Sequence, residues 1–532
     1  MPQPVRLVGA AIAAALAAAA LAPTAQAATH KPAAVQAHVT PATARTIGKR
    51  VTGATSSGIT ATFTPTYVAN EGLTVSFDAT GSSDSNSGAT ITGYSFAYGD
   101  GKTDSNTTGT ATHTYGAPGS YTVTLTVTDS AGNTGTAAST VTPNGTDYTP
   151  DGPTRILDTR SGLGAAKAKV GNGGTVALQV TGSATGVPTN ATAVVLNVTV
   201  TDAAAGGYIS AYPDGITEPA ASNQNFATGD TIPDLVTVKL GADGKADLTV
   251  NGTSATSVDL VGDLEGYYTP TSADGYAEIQ PGRILDTRSG LNVTKAKIAE
   301  GQTAKLTVDG ATATTDTATA GNTTEPLPAS GITAVALNLT VTNTVESGVL
   351  TAYPDGATLP TASNLNYSAG ETVANAAVVP VGADGKIDLS VTGNAGTATD
   401  VIADVEGYYT AGNGTKTSVF VPVDPARIYD TRQPPCSCAI PADEYLHIAF
   451  SPTTPVAYAL NITDVSPTAG GNLAAYPDNT QDNITSTLNF GTGQLVGNYA
   501  QATVSATGID IKNYSGGTVK IVVDEFGYFA TS

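Results

Sequence analysis

The sequence predicts an all-β chain made of several β-sandwich domains, and three observations carry that prediction. Segments such as Tyr121–Thr128 alternate apolar residues with Thr at period two, the pattern of a half-buried antiparallel strand. Turn-forming clusters bound them, here Ala117-Pro118-Gly119 before and Asp129-Ser130-Ala131-Gly132-Asn133 after. One set of motifs also returns three times in the same order. Its period exceeds 100 residues, too long for a propeller blade or solenoid unit, so each copy is read as its own domain.

Composition narrows the function. The 532 residues carry 23 basic and 44 acidic side chains, a net charge of −21, and only 13% are charged. No basic patch is available to neutralise phosphates, which argues against nucleic acid as a partner. Four His and two Cys leave little for zinc, haem or nucleophile–imidazole chemistry. The expectation is a non-enzymatic protein without a cofactor.

Residues 1–27 read as a secretory signal: Arg6, an Ala/Leu-rich run over 10–22, and the cleavage pattern Ala25-Gln26-Ala27. No later run is long and apolar enough to span a bilayer, so a secreted, extracellular protein is expected, with association at the cell surface left open. Residues 28–57 lack periodicity and read as a flexible leader.

The first domain is placed at 58–143, where short strands make a sandwich. Phe77-Asp78-Ala79-Thr80-Gly81-Ser82-Ser83-Asp84, Tyr98-Gly99-Asp100-Gly101 and His113-Thr114-Tyr115 resemble the PKD (polycystic kidney disease) domain. The resemblance implies an Ig-like sandwich acting as an extracellular spacer or interaction module. Phe96 and Ala97 stand where that family carries Trp and Asp. His113 is read as structural. Asp78, Asp84 and Asp100 are the candidates for a calcium ion, with turn capping the favoured alternative.

Three repeat modules follow, at 148–268, 276–409 and 418–529. Arg155-Ile156-Leu157-Asp158-Thr159-Arg160 recurs at Arg283–Arg288 and Arg427–Arg432. Leu196-Asn197-Val198-Thr199, Ala211-Tyr212-Pro213-Asp214 and a closing Asp263–Tyr268 recur likewise. Ala193–Val200 is apolar on both faces at its start, as a central strand would be. Asp243-Gly244 and Asp384-Gly385 predict tight hairpins, absent from the third copy. Each module is expected to be a β-sandwich, jelly-roll-like.

After Arg50 the chain has six Arg, and all six lie in the three R-x-x-D-T-R motifs. A surface charge accepts Lys or Arg equally, so this segregation asks for the planar guanidinium fork. The favoured reading is a structural clasp of Arg155, Asp158, Arg160; Arg283, Asp286, Arg288; and Arg427, Asp430, Arg432, joining each module's first strand to its closing Asp. The alternative is an anion site. The modules also resemble a repeat of secreted actinobacterial proteins with the pattern R-L-L-D-T-R … L-N-V-T … Y-P-x-G … S-N-x-N … D-V-x-G-Y, which implies an accessory cell-surface domain.

Cys436 and Cys438 are expected to form a local disulfide, with an intermolecular bridge as the alternative. The Asn-x-Thr triplets at Asn197, Asn338 and Asn461 fall in central strands and are read as incidental. Tyr212, Tyr353 and Tyr476, each before Pro and an Asp (Asp214, Asp355, Asp478), are taken as exposed candidates for stacking on sugar rings. The expected function is multivalent adhesion to extracellular glycans or the cell envelope. A structural spacer or protein-assembly module is the alternative, and a carboxylate-based glycoside hydrolase using Asp263/Glu265 and Asp404/Glu406 the second alternative.

Overall fold

The computed structural model describes residues 35–36, 51–53, 57–68, 72–116, 118–143, 145–271, 273–317, 321–411, 418–434, 436–450, 455–478, 480 and 484–531. The signal reading at 1–27 and most of the leader lie outside them. The chain is all-β, and among the described residues no helix is long and apolar enough to cross a membrane.

The first domain is two four-stranded sheets packed face to face. Tyr121–Asp129 pairs antiparallel with Thr134–Val141 and Ile91–Ala97, and Val123, Leu125 and Val127 point inward as period two requires. Phe77, Phe96, Tyr98 and Tyr115 fill the core. Val419 of the third module joins this same core, which seats the first domain on that module.

Each repeat is a sandwich of two antiparallel sheets. In module one, one sheet orders Thr175–Gln179, Lys245–Gly252, Gly207–Pro213 and Gln224–Phe226. The other orders Ile232–Lys239, Ala193–Thr201, Ser257–Thr269 and Asp147–Asp158. Asp243-Gly244 therefore does not close a hairpin, because Ile232–Lys239 and Lys245–Gly252 lie in different sheets. It forms a corner of the sandwich, and Asp384-Gly385 repeats it between Val373–Pro380 and Lys386–Gly393. Strand alternation identifies a turn without saying which sheet the chain enters next.

The three modules pack against one another. They close into a ring, with backbone pairs Tyr148↔Asp274 between modules one and two, Tyr276↔Ser418 between two and three, and Thr146↔Phe420 between three and one. The double apolar face of Ala193–Thr201 follows from this closure. Val194, Leu196 and Val198 pack inside the module's own sandwich, whereas Ala193 and Val195 enter a second core shared by all three modules.

That shared core is a cycle of six rings. Tyr148 packs on Tyr409 (4.4 Å), Tyr409 on Tyr276 (5.3 Å), and Tyr276 on Phe529 (4.1 Å). Phe529 packs on Phe420 (5.1 Å), Phe420 on Tyr268 (4.4 Å), and Tyr268 back on Tyr148 (5.2 Å). The closing-motif glycines make room for it: a Cβ on Gly266 or Gly407 would lie 2.2 Å from the hydroxyl of Tyr148 or Tyr276, and one on Gly527 2.3 Å from the Phe420 ring.

Candidate functional site

The repeated motifs converge at the joints between modules. Arg155 Nε and Nη2 donate to the two carboxylate oxygens of Asp263 (2.9 and 3.1 Å), and Nη2 also donates to the Thr361 carbonyl of module two (2.9 Å). Arg283 holds Asp404 the same way and reaches the Ile484 carbonyl of module three. Arg427 holds Asp524, whose Oδ2 accepts from Ser222 N of module one (3.0 Å). The expected link between first and closing strands is thus also a link to the next module. Burial raises the pKa of Asp263, Asp404 and Asp524 against the pull of the paired arginines.

The second arginine of each motif folds back on the motif's own Asp: Arg160 on Asp158, Arg288 on Asp286, Arg432 on Asp430, each through a two-pronged fork. The Arg160 and Arg432 bonds, as the largest cause, lower Asp158 and Asp430 below the usual carboxylate range.

The L-N-V-T asparagines complete the joints. Asn197 donates to the Ser363 carbonyl, Asn338 to Ser486 and Asn461 to Ser222, in each case of the neighbouring module. The first Asn of S-N-x-N braces its own loop: Asn223 Oδ1 accepts from Ala211 N and Asn364 Oδ1 from Ala352 N, and Thr487 Oγ1 does the same for Ala475 N. Glu265 accepts from Asn364 Nδ2 (2.9 Å) and Val378 N (3.0 Å), and Glu406 from Gln501 N (2.9 Å). Burial pushes Glu265 up to about 8, and Glu406 and Glu525 up to about 7.

Open clefts flank two joints. One, of about 370 Å³, lies between Arg155, Arg160 and Thr199 of module one and Leu359, Thr361 and Asn366 of module two. The other, of about 330 Å³, lies between Arg427, Arg432 and Thr463 of module three and Tyr208, Ala220 and Asn225 of module one. The pairs Arg155/Arg427, Arg160/Arg432, Thr199/Thr463, Thr361/Ala220 and Asn366/Asn225 occupy equivalent repeat positions.

Tyr212, Tyr353 and Tyr476 are buried, which corrects their expected exposure; Tyr212 and Tyr353 spend their hydroxyls on Thr249 and Ser390. The turns that follow Tyr212 and Tyr353 reach exposed positions at Gly215 and Gly356, but the strand carrying each ring turns it into the module. The exposed tyrosine is Tyr208, four residues earlier and 39% accessible. Period-two alternation alone does not single it out, because the Tyr-Pro-Asp repeat is the louder signal.

Lys245 bridges Asp214 and Asp243, and Lys305 bridges Asp355 and Asp388. In module three the side chain at the position of Lys305 is His447, 2.9 Å from Asp510 and 3.8 Å from Asp478. These three are the one metal-capable group among the described residues, and the imidazole fills the place of the module-two ammonium.

In the first domain Asp78 caps Thr80, Asp84 caps Asn86, and Asp100 caps Lys102 while bonding His113 (2.8 Å), which stacks on Tyr98. Cys436 and Cys438 are disulfide-bonded. Asn197, Asn338 and Asn461 are buried.

Comparison with known proteins places a PKD domain family match at residues 59–143. The PKD1 domain of the Vibrio cholerae metalloprotease PrtV is 38% identical, over 16% of this chain and 93% of that one, with a TM-score of 0.14. A structure of carbohydrate-binding modules from the β-sandwich superfamily is 18% identical over 40% of this chain and 95% of its own, with a TM-score of 0.16. The N-terminal CBM22-1–CBM22-2 tandem of Paenibacillus barcinonensis Xyn10C is 13% identical over 50% and 93%, with a TM-score of 0.14. No curated protein matches the chain. Residues 59–143 are a PKD domain, a type found typically in extracellular proteins.

Proposed function

We propose that the chain is a secreted, non-enzymatic protein of the cell surface that binds extracellular or cell-envelope glycans in the clefts beside its joints. One observation carries this reading. Of the six exposed large apolar side chains among the described residues, Tyr208, Leu359 and Leu495 line the two equivalent clefts. Each cleft sets such a platform beside arginine donors and the amide of Asn225 or Asn366, the pairing of apolar face and fixed polar groups that a sugar ring engages. Asp263/Glu265 and Asp404/Glu406 are held inside the joints by arginine and backbone donors, which supports binding over hydrolysis.

Pull-down on insoluble peptidoglycan, chitin and cellulose tests the reading. Retention is expected on at least one, weakened about tenfold by Tyr208→Ala with the melting temperature unchanged; no retention on any of them or on whole cells rejects it. The buried joints between modules favour a second reading, a rigid spacer or assembly module. Concentration-dependent association in sedimentation, without glycan retention, is its signature.

A further inference from the structure

The ring has three equivalent buried links, and one of them is built from different atoms. Between modules one and two, Asn375 Oδ1 accepts from Leu235 N (3.1 Å), while its Nδ2 donates to Asn197 Oδ1 (3.0 Å) and the Asn364 carbonyl (2.7 Å). Between two and three, Asn498 repeats this: Oδ1 accepts from Ala376 N (3.1 Å), and Nδ2 donates to Asn338 Oδ1 (2.9 Å) and the Thr487 carbonyl (2.6 Å). Between three and one the matching residue is Asp234. Its Oδ1 accepts from Tyr499 N (3.3 Å), so Oδ2 takes the place of the amide nitrogen.

The groups equivalent to the two acceptors are Asn461 Oδ1 and the Asn223 carbonyl, and neither brings a proton. Both Asp234 Oδ2 and Asn461 Oδ1 are buried without a hydrogen-bond partner. Asn461 cannot turn its amide round, because Nδ2 already donates to the Ser222 carbonyl (2.7 Å). A buried carboxylate oxygen left without a partner is costly, and a carboxylic acid, set where the other two links carry an amide nitrogen, has the donor this link lacks.

We infer that Asp234 is a buried proton site: its Oδ2 carries a hydrogen donated to Asn461 Oδ1, and this proton closes the ring between modules three and one. Burial, the leading cause, raises the Asp234 pKa well above the usual carboxylate range. Among the charged and titratable groups of the packed elements, Lys239 pairs with Asp424 (2.7 Å). Tyr499 bonds Thr237 through its hydroxyl (2.9 Å), Asp524 is held by Arg427, and Asp464 accepts from Val496 N. Glu525 sits beside Asp524 on the third closing strand, and module two offers the uncharged Asn375.

The group's pKa is higher folded than unfolded, so its contribution is complete below about pH 4 and is lost as pH rises. The test compares the full chain with Asp234→Asn, which installs the residue already used at the other two links. Relative to the variant, the wild-type unfolding constant should rise by up to about tenfold per pH unit above pH 4. The infrared band of a protonated carboxyl at neutral pH should lose one group in the variant. Asn498→Asp should add one such band and steepen the pH dependence. The inference is overturned if Asp234→Asn leaves band and slope unchanged, or if it fails to fold or melts below wild type at every pH.

Discussion

Arginine at the head of modules one and two bonds outward in more directions than its own domain needs. Arg283 grips both oxygens of Asp404, reaches the next module's Ile484 carbonyl, and lies 3.6 Å from Asp286. A lysine has one nitrogen to offer and cannot hold a carboxylate edge and a separate carbonyl together. Arg283→Lys should therefore lower stability by about 2 kcal/mol, and Arg283→Ala by about 3–5 kcal/mol because Asp404 is left buried and unpaired. Urea denaturation of the two variants measures both. The need for guanidinium was legible in the segregation of arginine from lysine. The partner across the joint was not, because it is a backbone carbonyl, a group every residue carries.

The closing strands concentrate the ring's constraints. Gly407→Ala drives a Cβ into the buried Tyr276 hydroxyl, and overpacking of this kind costs about 1–3 kcal/mol, seen as a lower melting temperature. The same strands carry Glu265, Glu406 and Glu525, with pKa values raised to about 8, 7 and 7 against an unfolded value of about 4.3. Their contribution is complete below about pH 4 and fades as pH climbs through 7 to 8. Asp158 and Asp430, held low by their arginines, act oppositely and weaken the fold only in acid, below about pH 4. Thermal melts should peak near pH 4–5 and decline toward pH 8, and Glu265→Gln should flatten the decline. The strands themselves could be read from alternation. The second apolar face of Ala193–Thr201 looked like ordinary central-strand burial, whereas half of it meets the neighbouring modules.

At the scale of the molecule, three sandwiches share one aromatic core, so they should unfold together. Phe529→Ala removes a ring that touches Tyr276 and Phe420, and calorimetry should show the melting of all three modules displaced by about 3–5 kcal/mol rather than that of the third alone. The number of modules and their internal order were readable from the repeat. Their closure was not, because its contacts join residues far apart in sequence and each motif has a sufficient explanation within one module. Tyr148, Tyr276 and Phe420, an aromatic at the same place in each opening strand, were the unused clue. The backbone pairing of Thr146 with Phe420 also fixes an order of events. A growing chain cannot complete its circle until the third unit exists, and the Ser222–Asp524 contact spans 302 positions. Until then two units stand with a bare aromatic flank, to which a neighbour's third unit is as good a match as their own. Crowded, newly made chains should therefore interlock by trading units, and dilution during refolding should favour the solitary form.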